Sequence, residues 1–130
     1  MQLSKSEYML FLKHPAWMWL KKHDKGMLPL DDDNDRARLE AGNMFESHAE
    51  HLFPEGFRIG FASYDEYEDL PAATKHLLDE ENLQTIFQGR FVSGQLTCIV
   101  DVLDRVVAST FDLYEIKASS KPKTEHEYDL

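Results

Sequence analysis

The stretch DLYEIKASSK, Asp112 to Lys121, sets a glutamate and a lysine two residues apart in a run with β propensity. A strand has a side-chain period of two, so Glu115 and Lys117 share a face with Phe111 and Leu113. Upstream, TCIVDVLDR places Asp101 on the face of Ile99 and Leu103, with Val100 and Val102 pointing the other way. An ionised carboxylate in such a segment is costly unless it is paired, hydrogen-bonded or bound to a cation. Lys117 is one available partner. With Glu115 also near, two carboxylates and one lysine leave excess negative charge that a hard divalent cation, Mg²⁺ or Mn²⁺, would neutralise through oxygen ligands. Such an ion acidifies a water and clamps phosphate oxygens, while Lys117 steers the water or stabilises the charged transition state. Those parts serve phosphodiester hydrolysis. The same residues also read as a Glu–Lys ion pair on an exposed edge strand, with Asp101 at a bulge.

Other polar residues carry weaker signals. Glu46 and Glu50 lie four apart on a predicted helix and share a face. His48 and His51 form an i, i+3 pair, but they lack the H-E-x-x-H spacing and an obvious third ligand for zinc. Ser119 and Ser120 could touch a phosphate or simply make a turn. Lys121 and Lys123 read either as backbone-phosphate contacts beside the site or as a solvated tail.

The elements that must position these groups follow from periodicity and caps. Ser4 and Glu7 make a capping-box pattern that starts a helix, and Pro15 breaks it near His14. A second short helix then carries Trp17, Trp19 and Leu20, expected in the core. Residues 24–34, with Gly26, Pro29 and several aspartates, read as a solvated loop. Leu39, Met44, Phe45, Ala49 and Leu52 mark an amphipathic helix over Asp35–Phe53, which Pro54 and Gly56 end. FRIGFASY suggests a short strand, and Leu70–Glu81 a helix with Pro71 near its start. A hairpin spans Thr85–Arg105 around Ser93 and Gly94, and a third strand covers Thr110–Ala118.

At 130 residues and 42% hydrophobic, the chain fits one domain, 1–130, with an N-terminal helical segment 3–23, the acidic loop 24–34 and a core 35–130. Its formal charge of −10 repels nucleic acid and anionic membranes on average, so contact with DNA must be local, through a basic patch or a metal ion. The single cysteine, Cys98, rules out an internal disulfide framework and fits a reducing cytoplasm. No apolar window of about 18 residues and no signal-peptide core is visible, so a soluble, cytoplasmic protein with no membrane partner is expected.

Taken in order, a helix, a hairpin with Asp101 in IVDVLD, and a strand with Glu115-Ile116-Lys117 followed by two serines resemble the PD-(D/E)XK nuclease superfamily. GNMFESHAEHLFPEG resembles the preceding helix of its RecB-like and Cas4-like branch, where a glycine is followed four residues later by a histidine or acidic metal ligand. Here that position is Glu46. LSKSEYMLFLKHPAWMWL resembles the opening of an uncharacterised RecB-like family, except that His14 replaces the cysteine before Pro15. Since Cys98 stands alone, no four-cysteine iron–sulfur cluster is expected.

The resemblance implies an α/β, restriction-endonuclease-like core with a small mixed β-sheet flanked by helices. It implies truncation at the carboxyl end, because related chains continue into a helix with a Gln or Tyr and Tyr128 lies where that helix would begin. It further implies DNA as substrate, single-stranded or with ends, cleaved in repair, recombination or defence. Glu46, Asp101, Glu115 and the carbonyl of Ile116 would hold Mg²⁺ or Mn²⁺, and Lys117 would assist. The alternative is an inactive nuclease-like module that binds protein or nucleic acid.

Overall fold

A computed structural model of the chain describes residues 2–30 and 32–129, apart from the side chains of Glu125, Tyr128 and Asp129. Tyr128, read above as the start of a substrate-positioning helix, and Asp31 of the acidic loop therefore lie outside the described side chains.

The chain opens on a two-residue strand, β1 (Leu3–Ser4), that runs straight into α1 (Lys5–Lys13). The capping box forms as expected: Ser4 Oγ accepts from the Glu7 N–H at 3.3 Å, and Glu7 Oε2 accepts from the Ser4 N–H at 2.8 Å. His14 leaves the helix in extended backbone, and Pro15 opens α2 (Pro15–His23) at a position where its missing N–H costs nothing. Glu7 ties the two helices through Lys22 at 3.0 Å. Trp17 and Trp19 are 40% and 57% exposed, so the expectation that they fill the core is wrong. Their helix packs mainly on α1, which is too narrow to cover both indoles.

α3 (Asp33–Ala49) starts inside the expected loop because Asp32 caps it, accepting from the Asp35 N–H at 2.8 Å. It ends before the expected Phe53, in a 3-10 turn over Glu50–Leu52. Its apolar residues Leu39 and Met44 stay exposed, although their spacing predicts a buried stripe. After β2 (Phe57–Arg58) comes α4 (Tyr64–Asp79), which begins six residues ahead of the expected Leu70. Ser63 caps it, its Oγ accepting from the Glu66 N–H at 3.2 Å. Pro71 consequently sits inside the helix rather than near its start.

The hairpin is β3 (Thr85–Ser93) and β4 (Leu96–Val107), turning at Gly94–Gln95 with Gly94 at φ +59°. β5 (Thr110–Tyr114) completes a curled mixed sheet of order β1-β4-β3-β2, with β5 also paired to β4. β3, β4 and β5 are antiparallel neighbours, whereas β1 runs parallel to β4 and β2 parallel to β3. One edge of β4 is taken by β3, so β1 and β5 share the other, β1 at Leu96–Thr97 and β5 from Val102 onward.

α4 covers one face of the sheet, where Ile59, Leu70, Ile86, Val100 and Leu103 make the core. On the other face Phe87, cross-strand from Val102, meets Phe53, which also touches Tyr114. A β-carbon at Gly56 would collide with the Phe87 ring, so only glycine lets the chain pass there. Among the described residues, no helix is long and apolar enough to cross a membrane.

Candidate active site

Asp101 does not sit as strict alternation requires. The β3–β4 ladder keeps one register from Thr85↔Asp104 to Ser93↔Leu96 but omits the pair at Gln88 and Asp101. Gln88 has φ +60°, a left-handed conformation that costs a non-glycine residue on the order of 1 kcal/mol. Val100 and Leu103, three apart, consequently share the core, so Asp101 does not lie on the face of Leu103 as the period of two predicts. No residue is inserted there, so this is a local distortion of the ladder and not a bulge; the register shift on β4 lies farther along, between Arg105 and Val107 against β5.

β5 stops at Tyr114, short of the expected Ala118, for a related reason. Continuing its register would set Glu115 opposite Asp101, but there the Asp101 side chain replaces a backbone acceptor: Oδ2 accepts from the Ile116 N–H at 2.7 Å. Glu115 and Lys117 therefore leave the ladder as a short segment beyond the strand. They remain together, Lys117 Nζ lying 2.5 Å from Glu115 Oε1.

Glu46 reaches the same place from α3. Gln88 Nε2 donates to Glu46 Oε1 and, at 3.4 Å, to Asp101 Oδ1, bridging helix and strand. Arg58 Nη2 approaches Glu46 at 3.4 Å and is bound more closely by Glu50, whose side chain is only 16% exposed. Glu50 is thus an ion-pair partner and not a solvated bystander. The sequence-predicted residues Glu46, Asp101, Glu115 and Lys117 are accordingly neighbours, drawn from a helix, a strand and the segment after β5.

Two cations and one amide at this place carry no sequence signal. Lys5 Nζ lies 2.6 Å from Glu115 Oε1, so two ammonium groups share one carboxylate oxygen. Its position follows from β1 and β5 approaching each other along one edge of β4. Arg58 and Gln88 likewise belong to no motif, although a glutamine beside glycine in the middle of a strand is a mild irregularity.

Burial raises the Asp101 pKa, and the Glu115 charge adds to this against the opposing Ile116 N–H, Lys5 and Lys117. Glu46 is raised by burial and then by Asp101, with Arg58 opposing. Beside the cluster runs an open groove of about 430 Å³ lined by Glu115, Lys117, Ser119, Ser120, Lys121 and His126. Ser119 Oγ donates to the Lys121 carbonyl at 2.6 Å, which is the turn role considered for it.

The donor set suits Mg²⁺ or Mn²⁺ in kind, being all oxygen. Lys5, Lys117 and Arg58 oppose Glu46, Glu50, Asp101 and Glu115, leaving one negative charge in excess, the same excess that two carboxylates and one lysine would leave. Among the described residues, no three His, Cys, Asp or Glu side chains are grouped closely enough to hold a metal ion. The carboxylates are turned toward protein cations, and a shared ion would have to compete with those. His48, near the end of α3, and His51, in the 3-10 turn after it, are both exposed, with ring centroids 6.2 Å apart and each Nδ1 facing a local carbonyl, of Met44 and of His48. No protein-family model, curated protein or solved structure matches the chain.

Proposed function

We propose that the chain is a divalent-metal-dependent nuclease with a restriction-endonuclease-like core that hydrolyses DNA phosphodiester bonds. One observation carries it: the Gln88 amide joins Glu46 to Asp101, and Asp101 in turn accepts from the Ile116 N–H beside the Glu115–Lys117 pair, where β5 ends. On this reading Glu46, Asp101 and Glu115, with the Ile116 carbonyl, would have to turn from their present protein partners to hold Mg²⁺ or Mn²⁺, which would supply an acidified water and charge for the phosphate oxygens. The chain's own contribution is positional and electrostatic. Lys117 lines the groove, where a phosphate would lie, and Lys5 reaches the same place through Glu115, so that both ammonium groups would compensate negative charge as it develops. Lys121 extends positive charge along the groove for the neighbouring phosphate.

A second reading has its own support. Each carboxylate is already engaged by a protein donor, which suits a domain that keeps the nuclease scaffold and binds protein or nucleic acid without cutting. A fluorescent DNA cleavage assay with Mg²⁺ or Mn²⁺ separates the two. Wild type should cut, and Asp101→Ala and Lys117→Ala should each lose at least about a hundredfold in rate. Equal cleavage by wild type and both variants would place the activity in a contaminant, and DNA binding in EDTA without cleavage would favour the binding module.

A further inference from the structure

Trp19 leaves more than half of its surface, 57%, open to solvent. Its ring leans on the imidazole of His23 one turn later, with centroids 5.0 Å apart and planes inclined by 34°. Such an i, i+4 pair of rings limits the orientations of the indole without covering it.

The surroundings of that ring are basic. Five of the 14 basic residues and two of the 24 acidic ones, Glu7 and Asp24, fall within residues 1–25, a net of +3 in a chain of −10. The last turn of α2 holds Lys21, Lys22 and His23, and the exposed Lys25 opens the 3-10 turn that follows. Lys22 is occupied by Glu7 and by the Gln2 carbonyl, at 3.0 and 2.7 Å. Lys21 meets a neutral partner, Ser6 Oγ at 3.4 Å, so its charge is not cancelled there. These contacts set the end of α2 beside the start of α1, where Lys5 reaches Glu115 next to Lys117. The ring and the lysines around it therefore continue from the groove.

That combination suits a single strand of nucleic acid. Its unpaired bases each offer a flat face to an aromatic ring while the adjoining phosphates meet cations, whereas a duplex keeps its bases stacked on one another. An anionic membrane would need the aromatic residues on one side of the helix, and Trp17 and Trp19 point about 200° apart around α2.

We propose that Trp19, flanked by Lys21 and Lys25, is a base-stacking platform for single-stranded DNA whose backbone continues toward Lys5 and Lys117 in the groove. The assignment rests on the reading above for DNA as the ligand and narrows it to unpaired strands; no metal ion takes part in it. Binding in EDTA, where nothing is cut, tests it. By fluorescence anisotropy a short labelled oligothymidylate should bind more tightly than a duplex of equal length, and it should quench the indole fluorescence. Trp19→Ala should weaken binding of the single strand about tenfold, leave duplex binding unchanged and keep the melting temperature of wild type. Trp19→Tyr should recover part of the loss, and Trp17→Ala should bind as wild type does. Equal binding of oligothymidylate by wild type and Trp19→Ala overturns the platform alone. So does quenching by phosphatidylserine vesicles in place of oligothymidylate, or a dimer that Trp19→Ala dissociates, since the ring would then serve a membrane or a second copy. Failure of wild type to bind either form of DNA, in EDTA or with Ca²⁺, overturns the platform and the nuclease reading together.

Discussion

Asp101 places one oxygen on the Ile116 N–H and the other near the Gln88 amide, yet burial keeps its pKa above the usual aspartate value. A carboxylate whose folded pKa is raised favours folding fully below its unfolded pKa, and that contribution is lost as pH rises through the folded value. Asp101→Asn, which retains an acceptor for Ile116, should therefore raise the melting temperature of the metal-free protein at about pH 8, and the gain should shrink toward about pH 4. Glu46→Gln should behave alike, since burial and Asp101 raise its pKa too. Melting curves in EDTA at the two pH values check both. Added Mn²⁺ should stabilise wild type alone, by about 2.7 kcal/mol at a hundredfold excess over Kd. Lys5 is the residue that the sequence hid. It follows the helix cap directly and reaches Glu115 only because a two-residue strand, too short to show periodicity, docks on β4. Lys5→Ala should lower the cleavage rate about tenfold to a hundredfold, with Lys5→Arg recovering part of it.

Among the elements, α4 shows how a local rule is overridden from a distance. Pro71 cannot donate to the Tyr67 carbonyl one turn earlier, a loss that ordinarily kinks or ends a helix. That carbonyl is instead taken by Arg90 Nη1 at 2.6 Å, and the guanidinium stacks on the Tyr67 ring at 3.8 Å. Arg90 is 1% exposed and also donates to Thr97 and Gln2, so one side chain joins the N-terminal segment, α4 and the hairpin. Arg105 works at the other end of the helix, donating to the carbonyls of Leu78 and Glu80. Arg90→Met should cost about 2–4 kcal/mol, because the Tyr67 carbonyl, the Thr97 hydroxyl and the Gln2 amide lose their buried donor. In a Pro71→Ala background the cost should be smaller, because the substituted alanine can supply the N–H that the Tyr67 carbonyl then lacks; denaturant unfolding of the four-member cycle measures the difference. Helix caps and turns were legible: Ser4 with Glu7, the break at His14–Pro15 and the hairpin all stand close to where local chemistry puts them. The start of α4 is misplaced from sequence because Pro71 competes as a first-turn marker with Ser63 and Glu66, which carry the same capping pattern as Ser4 and Glu7. The exposed stripe of α3 and the positive φ at Gln88 were not legible, since both depend on what the rest of the chain places opposite them.

The whole molecule brings Lys5, Glu46, Gln88, Asp101 and Glu115 together only when the sheet is assembled, because β1 and β5 approach along one edge of β4 while α3 reaches in through Glu46. The motif residues could be named from the sequence, but their spacing and their engagement by protein cations could not. On the proposed nuclease reading, charge sets how such a site would meet DNA. The chain carries 24 acidic and 14 basic residues, so its average field opposes a polyanion, and the ammonium groups at the groove are the local exception. Lys5 and Lys117 share Glu115, so a phosphate gains their full charge only when a divalent cation takes that carboxylate. On the proposed nuclease reading, DNA affinity should rise with added Ca²⁺ and fall when EDTA is added. Its salt dependence should be shallow: Lys5, Lys117, Lys121 and Lys123 allow about four phosphate contacts, so log K against log salt should slope between roughly −2 and −4. Fluorescence anisotropy of labelled DNA over a salt series measures this directly. A slope near about −8, or tight binding indifferent to divalent ions, would mean that a different and larger basic surface carries the contact.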